Sequence, residues 1–219
     1  MFPAMGTFML LAALSFAASA LASEHPTPSS VALFVDFEHP ASAAIVSSME
    51  TEVDRILSPS GLQFEWHALS DAQKTAAFAD LAVAHFKGVC GMHPESGTGH
   101  RPYKPVTLAT TPVSDGHVLP FTEIECGTIG RYLEPDLQVL PARDRDAALG
   151  RAMGRVLAHE LYHIFGGTQK HAARGVASAY HSRDELLAPE FNFREEESDM
   201  FRSFHDRITG MAPQAESTR

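Results

Sequence analysis

The order of patterned segments predicts an α/β (α+β) fold. A mixed twisted sheet is backed by helices, one of them long, and an irregular C-terminal lobe holds one more helix. Three observations predict it. Residues 31–37 are apolar and rich in β-formers, and residues at helical spacing follow at once. Further short strand patterns come before residue 125. Residues 144–165 then carry the strongest helical pattern of the chain and end at Gly166-Gly167.

Each element has a local reason. Pro40 suits a helix start, and Ile45, Val46, Met49, Val53, Ile56 and Leu57 recur at helical spacing. Ser58-Pro59-Ser60-Gly61 is a turn. Leu62, Phe64 and Trp66 alternate with Gln63, Glu65 and His67, which predicts a strand with one buried face. Residues 81–89 form a third strand, and residues 91–105, rich in Gly, Pro, His and Ser, form a long surface loop. Residues 106–111 and 117–124 are strands joined around Ser114-Asp115-Gly116. Pro120 suits an edge position, so residues 117–124 are read either as an edge strand or as a mid-sheet strand. Asp144 and Asp146 favour the first turn of the long helix. Within it, Gly150 and Gly154 predict close packing against the sheet. A last helix covers residues 194–208, with Asn192 near its start.

Composition narrows the function. The chain has 219 residues and a formal net charge of −10, which disfavours nucleic acid and anionic membrane surfaces as partners. Residues 8–18 are apolar, and Ala20-Leu21-Ala22 fits a cleavage pattern before Ser23. Residues 1–22 are therefore expected to be a signal peptide. The mature part, 23–219, is expected to be secreted or periplasmic, without stable membrane insertion. It is read as a single domain, with an upper lobe at about 31–166 and a lower lobe at about 167–219. Two cysteines, Cys90 and Cys126, predict one disulfide in an oxidising compartment.

The chemistry concentrates in His159-Glu160-Leu161-Tyr162-His163. Histidines four apart on a helix share one face and can ligate one metal ion, for which zinc is the expectation. Glu160 stands beside the first ligand, where a carboxylate reaches a water without binding the metal, and is the expected catalytic base. A third ligand is needed. Gly166-Gly167 can turn the chain back and bring in His171; Glu195, on the last helix, is the alternative. Tyr180 is either a residue that stabilises a tetrahedral intermediate, as some metallopeptidase tyrosines do, or a packed aromatic. His85, His93, His100 and His117 are read as ordinary surface or partly buried residues.

These residues resemble the metzincin metallopeptidases, whose pattern is H-E-x-x-H-x-x-G-x-x-H. The run His159 to Gly166 followed by His171 is similar to it, most of all to secreted bacterial types with a longer gap to the third His. The likeness covers residues 31–175. It departs at Gln169, which holds the usual third-His position, and in lacking a Met between His171 and Met200. The resemblance implies one catalytic zinc held by His159, His163 and His171, with Glu160 as general base acting on a peptide or protein substrate. The alternative is a non-catalytic zinc-binding protein that serves as a binding module.

Overall fold

The computed structural model describes residues 30–74, 78–92 and 106–210. The expected signal peptide lies outside the described residues, as do His93, His100 and most of the loop at 91–105. Strand β1 (Val31–Phe37) leads into helix α1 (Ala43–Leu57), capped by the Ser42 hydroxyl, which accepts from the Ile45 amide. A short 3-10 turn, Ser58–Ser60, ends at Gly61 with φ +81°, and strands β2 (Phe64–Ala68) and β3 (Asp80–Lys87) follow. Next come two-residue strands β4 (Ala109–Thr110), β5 (Val113–Ser114) and β6 (His117–Val118), and then β7 (Phe121–Glu125). Four helices close the chain: α2 (Cys126–Gln138), α3 (Ala142–Gly166), α4 (Arg183–Leu187) and α5 (Glu195–Ile208).

The fold is the mixed α/β arrangement that the sequence predicts. The main sheet runs β2-β1-β3-β7-β4; the first four strands are parallel, and β4 lies antiparallel at the end. Leu33, Ala84, Phe86 and Ile124 meet Ile45, Met49 and Val53 of α1 and Leu149, Met153 and Leu157 of α3 in one continuous apolar core. Cys90 and Cys126 form the expected disulfide, tying the end of β3 to the start of α2. Among the described residues, no helix is long and apolar enough to cross a membrane.

Three expectations change. Residues 117–124 are not an edge strand. Pro120 breaks them into β6 and β7, and β7 is paired on both sides, by β3 and β4, so the edge belongs to β4. The turn between β5 and β6 has positive φ at both Asp115 and Gly116, which matches the twist of a tight hairpin. Gly150 and Gly154 pack on α1 and not on the sheet. A Cβ at Gly150 would strike the Ile45 carbonyl oxygen, and one at Gly154 would stand 2.7 Å from that of Met49. Helices α2 and α4 are additional to the expected elements; α2 buries Ile129, Leu133 and Leu137 despite two glycines and Pro135. Near the start of α5, as expected, the Asn192 side chain accepts from Arg55 Nη1 at 2.6 Å, and the Glu197 carboxylate accepts from the Arg194 amide.

Candidate metal centre

Helix α3 carries the site because its inner face is buried along most of its length, which fixes the direction of every side chain in its last two turns. His159 and His163 lie one turn apart, with ring centroids separated by 4.8 Å. Gly167 ends the helix in the left-handed region, at φ +56°, and sends the chain back over the rings. Gly166 remains helical. Its missing side chain instead admits Met200 of α5, whose Sδ and Cε occupy the space that a Cβ would need.

The returning segment fixes the imidazoles. The Thr168 carbonyl accepts from His163 Nδ1 at 2.7 Å, and the Val176 carbonyl accepts from His159 Nδ1 at 2.7 Å. Carbonyl oxygens only accept, so each Nδ1 must carry the proton. In the neutral rings each Nε2 then holds a lone pair, and the two Nε2 atoms face each other at 3.1 Å. Burial disfavours the charged form of both rings. It pushes His159 down to about 3 and lowers His163, with the backbone bonds pulling the other way. Two bare acceptors at that separation repel each other, and a cation between them would relieve the repulsion.

His171 completes the group. Its ring stacks at 5.2 Å on His159 and stands edge-on to His163 at 4.8 Å. One nitrogen from each of the three rings lies within 4.8 Å of the others, so His159, His163 and His171 can hold a metal ion. His171 is exposed at the rim, on a segment closed by Ala172 N donating to Ala177 O and by Gly175 at φ +81°. Glu195 is exposed in the first turn of α5 and is not part of the group.

Glu160 is 6% exposed. It accepts from the Thr111 hydroxyl at 2.6 Å, and burial pushes its carboxyl up to about 7 against the lowering effect of the Thr111 and Thr122 hydroxyls. A cleft of about 450 Å³ opens over it, between residues 106–111 on one side and His159, His163, His171 and residues 178–181 on the other. Tyr180 is not packed away: it is 75% exposed on the rim of the cleft. Val176 and Ala177 are buried, and Val176 supports His159 from below.

Sequence reasoning gave no role to three residues of the site. Thr111 meets Glu160 across 49 residues. His181 stands edge-on to His159 at 5.2 Å, with Nε2 donating to the Ser178 carbonyl. Tyr132 of α2 lines the cleft and donates to the His181 carbonyl at 3.2 Å. No spacing rule points to any of them, because each acts across a long stretch of chain. Compared with known proteins, the chain matches no family model and has no significant match among curated proteins.

Proposed function

We propose that the protein is an exported, zinc-dependent endopeptidase of metzincin-like type. The observation that carries this reading is the pair of facing Nε2 lone pairs at 3.1 Å on His159 and His163, with the buried Glu160 carboxylate beside them. Tetrahedral zinc binds imidazole nitrogens at about 2.0–2.1 Å, which places two of them about 3.3 Å apart. Magnesium and calcium prefer oxygen ligands, so a group of three imidazoles favours zinc. His171, exposed and at the wider end of the group, is the ligand whose side chain closes the set.

Bound there, zinc supplies Lewis acidity towards a water and the scissile carbonyl. The residues of the chain do the rest. Glu160 takes a proton from the attacking water as its oxygen bonds to the carbonyl carbon, and passes a proton to the amine nitrogen as the C–N bond breaks. The substrate lies extended along β4, whose outer edge is the end of the sheet and offers backbone groups for strand addition. Val106, Leu108, Val113 and Val118 make that side of the cleft apolar, so uncharged side chains suit it. The Cys90–Cys126 disulfide suits an oxidising compartment, in keeping with export.

Elemental analysis of undisturbed protein should find about one zinc per chain, and chelation should stop the hydrolysis of casein or gelatin. Glu160→Gln should keep the metal and the fold, yet lose on the order of a hundred- to ten-thousand-fold in rate. Protein free of transition metal overturns the zinc reading. Zinc without Glu160-dependent cleavage leaves a binding module.

A further inference from the structure

Thr111 follows the edge strand β4, and its surroundings pin it from several directions. Ala109 and Thr110 pair with Ile124 and Glu123 of β7. The buried Thr122 hydroxyl donates to the Thr110 carbonyl at 3.1 Å. Pro112 restricts Thr111 to extended backbone, and the Pro112 carbonyl in turn accepts from the Leu119 amide at 3.0 Å. A β-branched side chain on such a backbone has few rotamers to choose from. The hydroxyl is therefore delivered to a fixed point, where it meets Glu160 Oε2 at 2.6 Å. The Thr122 hydroxyl also lies within hydrogen-bonding reach of the carboxylate, but its one proton goes to the Thr110 carbonyl. Beyond these, Glu160 is a side chain with three rotatable bonds on a helix that sets its Cα but not its carboxylate.

We infer that Thr111 is the positioning residue for Glu160, holding the carboxylate in one orientation through its Oγ1–H donor and linking the substrate-binding edge of the sheet to the reacting groups on α3. This rests on the peptidase reading above for its kinetic consequence, but the positional claim concerns only Thr111 and Glu160. Substrate pairs with the backbone of β4, so the Thr111 hydroxyl can be removed without removing a substrate contact. Its loss acts on the chemical step and leaves binding alone.

The test uses Thr111→Val, which keeps the shape and removes the donor, and Thr111→Ser, which restores the donor. Crystal structures of the metal-free proteins should show the Glu160 carboxylate moved by roughly 1 Å or more in the Val variant and returned in the Ser variant. In peptide hydrolysis, Thr111→Val should lower kcat on the order of ten- to a hundredfold with KM unchanged, and Thr111→Ser should recover most of the loss. A carboxylate that stays in place in Thr111→Val overturns the inference. So does a raised KM with unchanged kcat, because the residue would then act on substrate. If the wild-type protein cleaves no peptide, the peptidase reading fails, and the crystal structures still decide whether Thr111 orients Glu160.

Discussion

The two sides of the candidate metal centre are built by different means. On α3, position follows from helical period and from packing: the turns before His159 are buried against α1 and the sheet, and glycines let the two helices touch. The segment from Gly167 to Phe193 contains one short helix and is held by individual bonds to two cations, Arg155 fully buried and Arg55 partly exposed. Arg155 donates to the carbonyls of Glu185 and Ala188 and to the Glu52 carboxylate. Arg55 donates to the Phe191 carbonyl and to Asn192, whose own carbonyl accepts from the Val176 amide. Val176 then accepts from His159. The helix supplies the imidazoles, and the irregular segment decides which nitrogen each presents. A regular element can thus be aimed by an irregular one, provided the irregular one is anchored in the core.

The sharpest way to separate the two sides is to remove one ligand from each. His159→Ala should abolish stoichiometric metal binding, since it deletes a largely buried ligand and strands the Val176 carbonyl. His171→Ala should leave weaker, partial occupancy on the two ligands that remain in α3. Metal analysis after gel filtration reads the difference, and equal losses would mean that the rim ligand holds the ion as firmly as the helix ligands do.

Breaking the anchor comes next in size. Arg155→Met should cost about 1–3 kcal/mol in urea unfolding, because Glu52 keeps Arg55 as its only arginine partner and two carbonyls lose their donor. The same pair sets a pH limit. Burial alone would raise the Glu52 carboxyl, but hydrogen bonds from Arg55 and Arg155 outweigh it and hold the group below its ordinary value. A lowered carboxyl stabilises the fold fully above the ordinary carboxylate range, and the contribution is lost as pH falls through that range towards the folded value. Wild type should lose stability on this acid limb, and Glu52→Gln should flatten it.

The smallest effect is expected where the two sides join. Gly167→Ala places a side chain in the left-handed region and should cost about 1–2 kcal/mol. It should also disturb the Thr168 carbonyl that orients His163, so metal affinity should fall along with Tm. A loss of Tm without a change in affinity would separate the turn from the ligand.

The same contrast governs what could be read from the sequence. Helix α1, β1 and the body of α3 follow from spacing, as does the pairing of His159 with His163, because periodicity and short-range geometry are local. His171 was reachable as the first His beyond a glycine turn. The role of Thr111 and the clamp of Arg155 on residues 185–188 were not legible, because they depend on contacts between distant parts of the chain. Helix α2 was hidden for another reason: Gly127, Gly130 and Pro135 are poor helix formers, and burial of Ile129, Leu133 and Leu137 overrides them. The edge of the sheet stayed open between two readings because β4 has only two regular residues, too few to show a period.

The Cys90–Cys126 bridge has a consequence for chain continuity. It spans 36 positions that include the whole of β4 and Thr111. A single backbone cut anywhere between the two cysteines would leave both pieces covalently joined. The strand that borders the cleft would stay attached to the body of the protein through sulfur, and only reduction would let the fragments part.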